Sequence, residues 1–145
     1  MPDANGAMSP EELSAFLDAT HLAIIATNGT DGLPHSTPVW YLAEGDGALA
    51  VIVLRDAVKL RNIERDPRIS MTIAPETRPY AFARFRGRAE VLYEDINDYP
   101  LAMAQRYMGD EPGRRWLEDQ GQDPFAVIRL FDPSPHTWMD PNPGF

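Results

Sequence analysis

The sequence predicts a mainly β domain, a small antiparallel barrel with flanking helices. Three observations point there. Two glycine-bearing turns, Gly29-Thr30-Asp31-Gly32 and Glu44-Gly45-Asp46-Gly47, separate apolar segments with hairpin spacing. One short helical pattern after the third segment leads into an alternating run. An amphipathic stretch at 96–120 is inserted before a last apolar run. The 145 residues show no internal repeat and no dividing linker. We therefore expect a flexible N-terminus over residues 1–8 and a single domain over residues 9–145.

The elements follow in order. Ser9-Pro10-Glu11-Glu12 reads as a helix start, with Ser9 as cap, Pro10 in the first turn and Glu12 closing a capping box. That helix runs to about Ala19, with Leu13, Phe16 and Leu17 on its buried stripe. Strands are expected over 21–28, 35–44 and 48–54, the last a continuous apolar run suited to burial on both faces. Residues 56–66 form a short helix, with Asp56 as cap and Leu60 and Ile63 on one face, and Pro67 ends it. Residues 68–74 alternate as a strand. The longest strand spans 80–93, with Arg84, Arg86 and Arg88 on one face and Ala81, Ala83, Phe85 and Gly87 on the other. A helical stretch at 96–120 breaks near 109–112. A strand at 124–131 and a proline-rich tail complete the chain.

Charge is distributed unevenly. The net charge is −9, yet Arg55, Lys59, Arg61, Arg65 and Arg68 fall within one short segment, and Lys59 is the chain's single lysine. An ammonium at a helix start, beside a guanidinium at a strand end, suits an anionic group such as phosphate. Arg65, by contrast, is expected to balance neighbouring acids on a solvated helix face. The acidic balance opposes general nucleic-acid binding. With no cysteine, thiolate metal sites and disulfides are excluded, and the three histidines lack metal-ligand spacing. No phosphate-binding loop, dinucleotide fingerprint or nucleophile elbow occurs. No apolar run approaches the ~20 residues of a spanning helix, and no signal peptide is read, so a cytoplasmic protein is expected.

Three blocks carry a resemblance. They are residues 22–27 with 32–41, residues 59–70 (Lys59-Leu60-Arg61-Asn62-Ile63-Glu64-Arg65-Asp66-Pro67), and Phe85-Arg86-Gly87-Arg88-Ala89-Glu90-Val91. In order and spacing they resemble the pyridoxamine 5'-phosphate oxidase-like split-barrel proteins, most closely the branch that uses the deazaflavin coenzyme F420. The resemblance implies a split β-barrel homodimer with cofactor sites along the dimer interface. It implies an oxidoreductase that passes a hydride from reduced F420 to an unsaturated organic substrate, with no essential acid or base, since solvent can supply the proton. Two alternatives stay open: an FMN-dependent oxidase, and a non-catalytic protein binding flavin, deazaflavin or tetrapyrrole. By the resemblance Lys59 holds the cofactor phosphate, with Arg55 and Arg61 as further anion contacts. The ring lies against Ser36, Thr37, Pro38, Val39 and Trp40. No metal is expected, and no catalytic residue is assigned. Pro38 removes a ladder donor, which points to an edge, a bulge or a place where a ligand meets the strand.

Overall fold

The structure, a computed structural model, describes residues 3–121, 124–142 and 144. Two antiparallel sheets form a split β-barrel. The first holds β1 (Ala23–Asn28), β2 (Pro34–Val39), β5 (Arg68–Ile73), β6 (Ala81–Arg88) and β9 (His136–Met139), in the order β2-β1-β5-β6-β9. The second holds β3 (Leu42–Ala43), β4 (Leu49–Leu54), β7 (Glu90–Leu92) and β8 (Phe125–Leu130), in the order β3-β4-β8-β7. The inner faces bury Ile25, Met71, Ile73, Ala83 and Phe85 against Leu49, Val51, Ile128 and Leu130.

The first helix follows its sequence signals. In α1 (Pro10–Asp18) the Glu12 N–H donates to Ser9 Oγ at 3.1 Å, and the Ser9 N–H donates to Glu12 Oε1 at 2.9 Å. Phe16 and Leu17 are buried.

Two expected strands are each divided between the sheets. The segment 35–44 becomes β2 and β3, and 80–93 becomes β6 and β7. Both divisions have local causes. Tyr41, fully buried, turns into the core and its hydroxyl donates to Leu17 O at 2.8 Å. That hydroxyl's pKa is pushed up to about 12, mainly by burial. Ala89 leaves the ladder to donate its N–H to Pro67 O at 2.8 Å. Beside that corner a Cβ on Gly87 would sit 3.2 Å from Leu130 Cδ1, so glycine lets the two layers meet. The tail contributes β9, an edge strand paired with β6. Residues 3–8 lie against it: the Met139 N–H donates to Gly6 O at 2.7 Å and the Met8 N–H to Thr137 Oγ1 at 3.0 Å. Residues 1 and 2 of the expected flexible terminus lie outside the described residues.

Helix α2 (Val58–Arg65) corrects the expected cap. Its N-cap is Ala57, which has no side chain to offer, and Asp56 stands one residue too early. The Ala57 N–H is used in a turn to Leu54 O at 3.0 Å, which sets the helix start after it. Leu60 and Ile63 are buried as expected, together with Asn62, whose amide donates to Thr27 Oγ1 at 3.0 Å.

The helical insert is a hairpin of α3 (Asp98–Met108) and α4 (Asp110–Asp119). Gly109, at φ 91°, makes the break alone, and Pro112 sits inside the first turn of α4. The helices cross at Gly113, where a Cβ would lie 2.7 Å from the Ala104 carbonyl carbon and from Gln105 N. Gly113→Ala is therefore expected to cost about 2 kcal/mol by forcing the helices apart, despite alanine's better helix propensity. Thermal unfolding measures this, and an unchanged midpoint would contradict the close crossing.

The β3–β4 turn is clamped onto β8 by Arg129. Its Nε lies 2.6 Å from Glu44 Oε2, one Nη 2.6 Å from Asp46 Oδ2 and the other 3.2 Å from Glu90 Oε2. The Tyr99 hydroxyl donates to the second oxygen of Glu44.

Candidate functional site

Edge strand β2, the end of β4 and the start of α2 converge on a cleft of about 400 Å³. Pro38, Val39 and Trp40 form one side, and Ile52, Val53 and Leu54 the floor. Lys59 enters from the first turn of α2, while Trp116 and Phe125 close the far end. Leu22 lies at the margin.

Lys59 is half-buried, and that burial pushes its ammonium pKa below the usual lysine value. Its ammonium has no hydrogen bond or ion pair among the described residues. Around it α2 begins with no side-chain cap; the Leu60 N–H donates to Ala57 O at 3.1 Å, which leaves the Val58 and Lys59 amides at the helix start without a side-chain acceptor. An anion placed there meets a cation and helix amides together.

The sequence-predicted residues divide into two sets. Pro38, Val39, Trp40 and Lys59 meet in the cleft. Thr37 shares the strand face of Val39, and its Oγ1 is buried with no hydrogen-bond partner. Ser36 points to the exposed face of β2. Arg55 lies beside the cleft with its guanidinium engaged: Nε donates to Phe125 O at 2.9 Å and Nη2 to Tyr93 O at 2.8 Å. It thereby fixes the first residue of β8, whose ring lines the cleft. Arg61 donates to Asp56 O at 2.8 Å across the start of α2. Arg65 donates to Asn28 O, and Arg68 pairs with Asp66 at 2.7 Å; both serve the barrel surface. Arg86 and Arg88 lie on the outer face of β6, where with Arg68 they border a separate groove of about 650 Å³.

Trp40 is held from the α3–α4 hairpin. Its ring stacks on Tyr107 at 5.1 Å and 6°, and leans on Trp116 at 5.3 Å and 54°. Trp116 in turn stacks on Phe125 at 5.8 Å and 23°. Tyr107 is itself fixed: its hydroxyl donates to His21 O at 2.5 Å and accepts from the Tyr41 N–H at 3.0 Å. Arg106 ties the same helix to the end of α1, donating to Leu17 O at 2.8 Å and Ala19 O at 3.1 Å. Sequence reasoning missed Trp116, Phe125, Ile52, Leu54 and Leu22. An aromatic on an amphipathic helix, or an aliphatic in an apolar strand, carries no local mark separating cleft from core.

The arrangement suits a flat ring with an acidic arm. Aromatic and aliphatic walls take the ring. Lys59 and the free amides at the start of α2 suit the arm; Thr37 does not line the cleft.

Comparison with known proteins agrees. A family model described as pyridoxamine 5'-phosphate oxidase matches residues 9–130. No curated protein matches the sequence. Among solved structures, conserved hypothetical protein Rv2991 from Mycobacterium tuberculosis superposes with a TM-score of 0.82 at 26% identity, covering 100% of this chain and 93% of its own. An F420 reductase superposes with a TM-score of 0.70 at 22% identity, covering 88% of this chain and 98% of its own. General Stress Protein 26 from Bacillus anthracis gives 0.64 at 15% identity, covering 88% and 92%. The last two are likenesses of fold. No described helix is long and apolar enough to cross a membrane. By the family match along most of its length and by the barrel itself, the chain belongs to the pyridoxamine 5'-phosphate oxidase family, a flavin-binding family.

Proposed function

We propose that this protein is a homodimeric oxidoreductase that uses reduced coenzyme F420 to pass a hydride to an unsaturated organic substrate. One observation carries the reading. Lys59, half-buried and without a counter-ion among the described residues, opens into the same apolar cleft as the edge-strand residues Pro38, Val39 and Trp40. A cation held this way is completed by a ligand anion, and the flat walls by a ring.

Lys59 and the free Val58 and Lys59 amides at the start of α2 would hold the phosphate. Val39 and Trp40 would support the ring, and Trp116, Phe125 and Ile52 would keep water from it. Bound F420 would supply a two-electron hydride donor that reacts poorly with oxygen. An F420 reductase shares this fold, so the barrel is one that accommodates F420. A second copy of the chain would cover the outer face of the five-stranded sheet. There Leu22 is 53% and Ile24 43% exposed, and Ile24 pairs in register with Pro38 at the margin of the cleft.

Parallel titration with F420 and FMN tests the reading, followed by anaerobic oxidation of reduced F420 with a panel of unsaturated acceptors. Tighter binding of F420 and turnover under these conditions are expected. Preferential FMN binding with peroxide formed from oxygen would replace the proposal with an oxidase. Binding without turnover by any acceptor would make the protein a carrier.

A further inference from the structure

We propose that Trp116 and Phe125 form an end wall that restricts the acceptor to a compact, planar, uncharged ring compound. The inference rests on the redox reading above and assigns its substrate class. Trp116 comes from α4, outside the barrel, and its ring stands at 54° to Trp40 and nearly parallel to Phe125. Three aromatic faces therefore bound one end of the cleft. Stacked and edge-on aromatic contacts favour flat ligands over bulky ones.

Charge selects in the same direction. Among the described residues lining the cleft, Lys59 is the single ionisable group, and the cofactor's phosphate claims it. A carboxylate or ammonium on the acceptor would lose its hydration without gaining a partner. The acceptor would gain a hydride from reduced F420 and a proton from solvent. F420 is left oxidised and a proton returns to solvent, so no charged side chain is needed to balance the step.

Size is set by what lies behind the wall. A second cavity of about 280 Å³ is lined by Ile96, Pro100, Leu117 and the same Phe125. Trp116 faces the first cavity and Leu117, its neighbour, the second. Phe125 is the one residue that lines both spaces, and Trp116 stacks on it from the side of the first. Removing the indole would lengthen the cleft towards Phe125 and Leu117 without adding charge.

The test reads probe binding directly, without cofactor. Fluorescence anisotropy follows acridine, held neutral at mildly alkaline pH, and a homologue longer by one fused ring, with wild type, Trp116→Ala and Trp116→Phe. Wild type is expected to hold acridine and exclude the longer probe. Trp116→Ala is expected to weaken acridine by about tenfold and to admit the longer probe. Trp116→Phe keeps the wild-type preference. If Trp116→Ala fails to fold by thermal unfolding, Trp116→Leu carries the same comparison. Equal wild-type affinity for both probes, or a preference unmoved by removal of the indole, overturns the wall. F420 titration of the same proteins keeps the two readings apart. Wild type that selects acridine but binds no F420 would remove the redox proposal and leave the wall standing.

Discussion

Lys59→Ala is expected to weaken F420 binding roughly 10- to 100-fold while the barrel stays folded. The range follows from losing one charge-assisted contact where other donors persist. The free amides at the start of α2 and the apolar walls remain in place, so binding falls without vanishing. The unliganded protein supplies a second readout of opposite sign. Burial lowers the ammonium's pKa from the ordinary 10.5, so the folded chain disfavours the charged form that the unfolded chain keeps. That penalty is in force below the depressed value. It is relieved as pH rises from there towards 10.5, and above 10.5 it is gone. Lys59→Met should therefore raise the unfolding midpoint of the ligand-free protein at neutral pH, and the gain should shrink as the solution becomes alkaline. A residue that destabilises the empty fold yet strengthens the complex is placed for the ligand. Wild-type affinity in Lys59→Ala, or a lower ligand-free midpoint in Lys59→Met, would remove Lys59 from the site.

What could be read from the sequence was set by short-range physics. The capping box at Ser9 and Glu12, the buried pair Leu60 and Ile63, and the alternation from Arg68 to Ile73 each depend on neighbours within a turn or a pleat. The charge cluster and Pro38 singled out one side of the cleft for the same reason. The far side is long-range. Trp116 meets Trp40 across 76 residues of chain, through a helix crossing that Gly113 permits. Sheet changes were also hidden, because Trp40-Tyr41 and Ala89 keep the alternation going while the ladder partner changes. The strand at His136–Met139 spans only four residues after two prolines, Pro133 and Pro135, too short for a period to register. Asp56 has the right chemistry for a cap and the wrong position. Its neighbour's backbone closes a turn first, which leaves α2 uncapped beside Lys59. On the proposed function, a ligand's anion would serve in the cap's place.

Arg129→Met is expected to cost about 3 kcal/mol, because it removes the one cation from a group of three carboxylates. For a chain of this length that corresponds to a fall of roughly 6–12 °C in the unfolding midpoint. The Arg129 side chain is 20% exposed and Glu44 18%, so this pair is shielded in a way that the exposed Arg114–Glu111 pair is not. Methionine would fill the space of the arginine stem but leave Glu44 shielded and charged, near Asp46 and Glu90. The response to pH follows from sign. The Asp46 carboxyl is held below its ordinary value of 3.8, first by the Ala48 N–H and then by Arg129. Such a group contributes stability above 3.8 and loses it as pH falls through the depressed value. Without Arg129 part of that contribution is absent from the start, so the gap between wild type and variant should narrow on acidification. Adding Glu44→Gln to Arg129→Met removes the stranded charge and should recover part of the loss, a coupling that a double-mutant cycle measures directly. A midpoint within about 1 °C of wild type would place Arg129 among ordinary surface ion pairs. The β3–β4 turn would then be held by its own backbone, through the Glu44 N–H bond to Ala48 O at 2.8 Å and the Gly47 N–H bond to Glu44 O at 3.0 Å.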